Sequence, residues 1–203
     1  MKVTMKSILI LSGLIVLPML TIAQSNPENF IDDRAQEMVN VIRSNQSLYN
    51  SNPEQFKAKI NFIFEPMVDF RRVGASVMGK KYYKASTKDQ RLRFISAFKA
   101  SLLDTYSSTL AQWGDQTIET HFSQKIVFVK TEDVNQSLVS SNSIYPITYK
   151  VRNDGKGNWL IINIIVNGVN LGLTFRNQFQ ALALEHNENI DDIINHWTSD
   201  ANF

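Results

Sequence analysis

The run Trp159-Leu160-Ile161-Ile162-Asn163-Ile164-Ile165-Val166 decides how this chain can fold. Its length and its β-branched residues predict a strand. Apolar residues occupy both faces of that strand, whereas a strand with one face in water alternates apolar and polar residues. We therefore expect an apolar layer on each face. Helices of the chain can form one layer, and an apolar ligand can form part of the other.

Further strands are predicted upstream of this run. They are Thr117–Phe122, Lys125–Lys130, a weaker polar strand at Asn135–Ser141, and a half-buried strand at 145–152 in which apolar and polar residues alternate. The glycine-containing segment 153–158 predicts a hairpin turn into the opening strand. Short connections between consecutive strands indicate an antiparallel sheet.

Helical spacing of apolar residues precedes and follows the strands. The predicted helices begin at Asn26, begin at Asn52, span Phe70–Val77, run from Thr87 to Trp113, span Leu171–Leu184, and begin at Asn189. Asn-Pro at two of the starts and the Thr87–Gln90 capping box mark helix N-termini. The whole pattern predicts an α+β fold in which helices pack around a twisted antiparallel sheet of about four to five strands.

The first 23 residues have the pattern of a signal peptide. Lys2 and Lys6 precede an apolar core at Ile8–Leu20, and the small residues that cleavage requires come next. We expect cleavage before Gln24, which leaves 24–203 as a single domain outside the cytoplasm. An uncleaved membrane anchor is the alternative.

Composition narrows the function further. The chain has no cysteine, which excludes disulfides and a lipidated-cysteine anchor. The whole chain has 21 Lys and Arg against 19 Asp and Glu, and both lysines of residues 1–23 leave with the signal peptide. The mature chain is then neutral, which argues against binding to nucleic acid.

Enzyme signatures are missing from the sequence. There is no cysteine nucleophile, no Gly-x-Ser-x-Gly motif and no glycine-rich phosphate loop. His121, His186 and His196 do not have metal-ligand spacing. We predict that the protein is not an enzyme and has neither a metal nor a cofactor.

Charge is distributed unevenly along the chain. Residues 71–99 contain nine Lys or Arg and one acid, and residues 185–203 contain five acids and no Lys or Arg. Two solvated helical faces explain this pattern. The alternatives are a docking surface for an acidic partner or one for anionic headgroups. The residues proposed for such a surface are Arg71, Arg72, Lys80, Lys81 and Lys84.

The segment Phe70–Thr87, followed by Gln90-Arg91, Phe94 and Ala97-Phe98, resembles the central part of the MlaC family, the toluene-tolerance auxiliary proteins. A second similarity includes Gly157-Asn158-Trp159, Asn167-Gly168-Val169-Asn170 and Arg176-Asn177-Gln178-Phe179. The order and spacing of these segments carry the resemblance, which extends over nearly all of residues 24–203. Asn163, Asn167 and Asn170 stand at or near positions where the family tends to have an acid or a serine.

The resemblance implies a periplasmic phospholipid carrier. Diacyl phospholipid would be its cargo, with the acyl chains buried between helices and sheet. Its partners would be an outer-membrane lipoprotein–porin complex and an inner-membrane ABC transporter, and its role would be to maintain outer-membrane lipid asymmetry. A diacyl lipid has about thirty methylenes, and exposing them to water costs on the order of 20 kcal/mol. We therefore expect a cavity at or above the upper end of the usual range for ligand sites, roughly 1,000 Å³.

The residues expected to contact lipid come from the helices and strands that face this cavity. They are Val73, Val77, Phe98, Leu102, Tyr106, Tyr145, Ile147, Tyr149, Ile162, Ile164, Val169 and Phe175. Val169 is the sharpest of these predictions because it follows a glycine at the end of the opening strand. Ile162 and Ile164 represent one face of that strand, and Trp159, Ile161 and Ile165 the other. An aromatic core or a protein-binding adaptor without lipid fits the same residues.

Overall fold

The computed structural model describes residues 25–112 and 114–199. The predicted signal peptide at 1–23 and Trp113 lie outside the described residues. The helices are α1 (Pro27–Ser44), α2 (Gln46–Ser51), α3 (Pro53–Met67), α4 (Phe70–Ala85), α5 (Lys88–Ala111), α6 (Leu171–Glu185) and α7 (Ile190–Asn195). The strands are β1 (Thr117–Thr120), β2 (Thr131–Val139), β3 (Ile144–Asn153), β4 (Trp159–Val166) and β5 (Val169–Asn170).

The sheet is a meander in the order β1-β2-β3-β4-β5, and every neighbouring pair is antiparallel. Together with the surrounding helices it confirms the α+β prediction. The predicted helix starts are also present. The Asn26 and Asn52 side chains cap α1 and α3, and Thr87 and Gln90 form the reciprocal capping box of α5.

The predicted strand at Lys125–Lys130 was wrong, because this segment has no regular secondary structure. Glutamate carboxylates accept hydrogen bonds from backbone amides at its two ends, from Ser123 to Glu28 and from Val129 to Glu132. The polar stretch that looked like a weak strand belongs instead to β2, which lies inside the sheet between β1 and β3.

The helix predicted over Phe70–Val77 is longer in the structure and is interrupted at a glycine. Gly79 has φ of +72°, a left-handed conformation that disfavours other residues, and it breaks α4 there. Helical structure resumes beyond it and continues to Ala85. The chain therefore has two helical segments where one short helix was expected.

Three apolar clusters form the core. The first is aromatic and joins α4, α5, α6 and α7, with Phe94, Phe98, Phe179 and Trp197 in edge or tilted ring contacts. The second joins α1 and α3 to the sheet around Trp159. The third joins α1, α2, α3 and the end of α5.

Candidate lipid cavity

A cavity of about 340 Å³ lies where the three clusters meet. Its walls are one face of the sheet, the second half of α5, and parts of α1, α3, α4 and α6. Almost all the atoms that line it are apolar. The volume is smaller than the roughly 1,000 Å³ expected for a whole diacyl lipid and falls in the lower part of the range for small-molecule sites.

A β-bulge determines which residues of β4 reach the cavity. Tyr149 of β3 pairs with Ile164, whereas Val151 pairs with Ile161, so β4 has one extra residue between these pairs. The extra residue shifts the alternation of side chains. Ile161 and Ile164 consequently both line the cavity, although they belong to opposite faces in a regular strand.

Helix α5 provides the wall opposite the sheet. It packs against α3, α4 and α7. From its second half, Leu102, Leu103, Tyr106 and Leu110 face the cavity, across from Ile147 of β3. Other helices hold α5 in place, and the space between its second half and the sheet is the cavity.

Few polar groups enter this lining. Tyr149 is mostly shielded from solvent, and burial raises the pKa of its hydroxyl to about 12. Asn163 donates to the Oδ1 atom of Asn170 at 3.0 Å and accepts from the amide of Gly172 at 3.0 Å. A Cβ at Gly172 would lie 2.6 Å from the Asn163 side chain, so the contact requires glycine. Asn163 and Asn170 thus connect β4 to the start of α6.

Eight of the twelve residues predicted to contact lipid lie on the cavity wall. They are Val73, Phe98, Leu102, Tyr106, Ile147, Tyr149, Ile164 and Phe175. Whether they touch lipid stays a prediction.

The other four predicted residues lie outside the lining, each for a local reason. Val77 is fully buried in the aromatic cluster, and Tyr145 is 40% exposed near the start of β3. Ile162 falls at the bulge, between the paired residues. Val169 follows the tight turn at Asn167-Gly168, which brings it back alongside Val166, and Val166 lines the cavity instead.

Sequence reasoning missed the contribution of the first and third helices. The cavity residues of α1 and α3 are Ile31, Arg34, Ala35, Met38, Val39, Ile42, Ile60, Phe64 and Met67. Their helical spacing was visible, but the same spacing is typical of any helix that packs on a core.

Two ion pairs join the basic segment 71–99 to the acidic segment 185–203. Lys81 forms an ion pair with Glu188, and Arg93 forms one with Asp191, which lowers the pKa of both carboxyl groups. Arg72 pairs with Asp69. Arg71, Lys80 and Lys84 are exposed and form no ion pair within the described part of the chain.

The fold brings together two histidines that are separated in sequence. The rings of His186 and His196 stack with centroids 4.3 Å apart, and His121 lies 2.9 Å from the Ser137 hydroxyl. Across residues 25–112 and 114–199, no group of three or more His, Asp or Glu side chains is arranged to hold a metal ion. None of the helices in those residues has the length and hydropathy that crossing a membrane requires.

A sheet and helices that surround an apolar cavity are typical of proteins that bind an apolar ligand. The chain belongs to the MlaC family, whose model matches residues 32–199. It is 33% identical over 193 residues to toluene tolerance protein ttg2D of Pseudomonas putida, which covers 93% of this chain and 89% of that protein.

Two further proteins support the assignment. The intermembrane phospholipid transport system binding protein MlaC of Haemophilus influenzae is 23% identical over 153 residues, or 74% of this chain and 71% of that protein. The fold also matches that of a phospholipid-binding protein from Ralstonia solanacearum, solved in complex with a phospholipid, with a TM-score of 0.76. That match has 18% identity and covers 84% of this chain and 94% of the other.

Proposed function

We propose that this protein is a periplasmic carrier that holds a phospholipid with its acyl chains in the cavity. The apolar cavity between α5 and the sheet is the observation that carries the proposal. Family membership and the names of the relatives support it. On this proposal, residues 1–23 direct export, and residues 24–203 form the carrier domain.

The carrier would move lipid between an outer-membrane lipoprotein–porin complex and an inner-membrane ABC transporter, and so maintain lipid asymmetry. No catalytic step is needed for this role. Each methylene that leaves a bilayer for the cavity avoids a cost of roughly 0.8 kcal/mol in water. The carrier therefore lowers the barrier to crossing an aqueous compartment.

The cavity of about 340 Å³ has to widen to take two full acyl chains. Its lining includes Met38, Met67 and Leu102, whose side chains are flexible. We propose that these side chains move aside as lipid enters.

Organic extraction of the purified protein, followed by mass spectrometry, tests the proposal. We expect phospholipid in the wild type and a large loss in Ile164→Glu, because that substitution places a carboxylate against the buried tails. Ile162→Glu is the matched control, since it changes a half-buried isoleucine of the same strand that does not line the cavity.

Circular dichroism of both variants shows whether they remain folded. A folded wild type that yields no phospholipid would overturn the carrier and favour a protein-binding adaptor without lipid. Equal lipid in the wild type and folded Ile164→Glu would show that the cavity is not the site.

A further inference from the structure

Of the described residues that line the cavity, Arg34 alone carries a charge. It lies on α1 between Ile31 and Met38, which also line the cavity. Its side chain is 43% exposed. Long cationic side chains commonly bury their methylenes along apolar surface and keep the charged end in water. Arg34 therefore joins the apolar interior to solvent at the rim of the cavity.

The guanidinium of Arg34 retains unused hydrogen-bonding capacity. Its Nη1 donates to Glu37 Oε2 at 2.5 Å, one turn further along α1, and the Glu37 side chain is also well exposed. Arginine has five N–H donors, and an exposed ion pair between residues three apart stabilises a helix only weakly. An anion that binds guanidinium more tightly than Glu37 does can bind Arg34 beside Glu37 or displace it.

A glycerophospholipid brings such an anion. Its phosphate diester remains negative at physiological pH, and a charged group cannot follow the tails into an apolar interior without a large cost. The phosphate must therefore stop at a rim where it keeps contact with water or with a cation. Planar guanidinium groups bind phosphate oxygens in a two-pronged geometry.

We propose that Arg34 binds the phosphate of the lipid whose tails occupy the cavity, an inference that rests on the proposed function. The site would recognise a phosphate diester whatever alcohol is attached to it. Lys81 and Arg93 are less suited to this role, because neither of them lines the cavity.

A competition between two lipids with identical acyl chains tests the proposal. The delipidated full chain is offered an equimolar mixture of dipalmitoyl phosphatidylglycerol and dipalmitoylglycerol, which lacks phosphate. Native mass spectrometry then gives the ratio of the two complexes. We expect the wild type to favour the phospholipid, and R34Q to reduce that ratio about tenfold, which is the scale of one charge-assisted hydrogen bond.

Two further variants make the result specific. R34K should retain part of the preference, because it keeps the charge and loses the planar fork. R43Q is the matched control on the same helix. Arg43 donates to the backbone carbonyl of Gln116 at 2.6 Å and does not line the cavity, so the ratio should equal that of the wild type.

The outcomes separate this inference from the proposed function. A wild type that takes up neither lipid overturns both. R34Q with the wild-type ratio overturns the role of Arg34 alone. Added inorganic phosphate distinguishes a lipid site from a free-anion site: we expect no change in the wild-type ratio, because the tails hold the lipid phosphate at the rim. A fall to the R34Q value would show that Arg34 binds free phosphate in preference to the lipid phosphate and would overturn its assignment as a lipid site.

Discussion

Burial beside the cavity changes the ionisation of one residue, Tyr149. It is partly buried among apolar side chains and lines the cavity, and this burial disfavours the ionised form of its hydroxyl. With a pKa of about 12, the residue is a neutral hydrogen-bond donor at any physiological pH. It can donate to an ester carbonyl of a lipid without adding charge to the interior.

The raised pKa of Tyr149 predicts a loss of stability in alkali. The folded-state pKa is about 12, against 10.0 for an ordinary tyrosine, so the folded form keeps its proton where the unfolded form loses it. This stabilisation is complete below pH 10 and disappears as the pH rises to 12. We expect the free energy of unfolding to fall by about 2–3 kcal/mol over that interval.

Urea denaturation at several pH values measures this effect. Tyr149→Phe removes the ionisable group and leaves the ring. Between pH 10 and pH 12, the unfolding free energy of this variant should therefore fall by about 2–3 kcal/mol less than that of the wild type. Identical pH profiles for the two proteins would contradict the assigned pKa.

At the scale of an element, helix α7 is a six-residue segment that depends on its surroundings. Isolated helices of this length are unstable in water. Ile193, Ile194 and the neighbouring Trp197 bury its apolar side in the aromatic cluster, while Asp191 bonds to Arg93 and Gln90 on the surface. Apolar packing should contribute far more than the exposed ion pair.

Two substitutions compare these contributions. Trp197→Ala removes a ring that is 5% exposed and should cost about 3–5 kcal/mol of unfolding free energy. Asp191→Asn should change stability little, because its ion pair is exposed to solvent. Thermal denaturation of the two variants measures both effects, and a larger loss for Asp191→Asn would reverse this ranking.

Local signals predicted most of these elements, and the errors arose where pairing depends on distant residues. Helix caps at Asn26, Asn52 and Thr87 are local and were found correctly. The bulge in β4 is not local, because it becomes visible only in the register with β3. It moved Ile161 onto the cavity wall and took Ile162 away from it.

The segment 125–130 also shows that local sequence does not determine strand pairing, here where a strand was predicted and none forms. Its β-branched residues favour a strand, yet Ile126 is 91% exposed, and no strand among the described residues pairs with the segment. Only Phe128 packs inward, against Trp159. Strand propensity describes how well a residue fits a sheet, and it does not supply the neighbouring strand.

For the whole molecule, the cavity implies that cargo and stability are coupled. A ligand that binds only the folded form raises its stability in proportion to the logarithm of the ligand concentration. At a free lipid concentration one hundred times Kd, the gain is about 2.7 kcal/mol. We expect delipidated protein to melt at a lower temperature than the loaded form.

Calorimetry before and after delipidation measures that difference, and reloading should restore the higher melting temperature. Ile164→Glu provides the comparison, since a variant that cannot accept tails should melt at the same temperature with and without lipid. A wild type with unchanged melting temperature would show that no ligand binds preferentially to the folded form.

A hydrogen bond between the start of the described chain and β4 has a consequence for synthesis. The indole of Trp159 donates to the carbonyl of Ser25 at 2.5 Å, although 134 residues separate them. At 5–20 residues per second, a ribosome needs roughly 7–27 s to make the intervening chain. Until β1 and β2 are made, the apolar side of α1 can pack against α3 but has no sheet to cover it. A newly made chain therefore needs protection from aggregation until these strands have emerged.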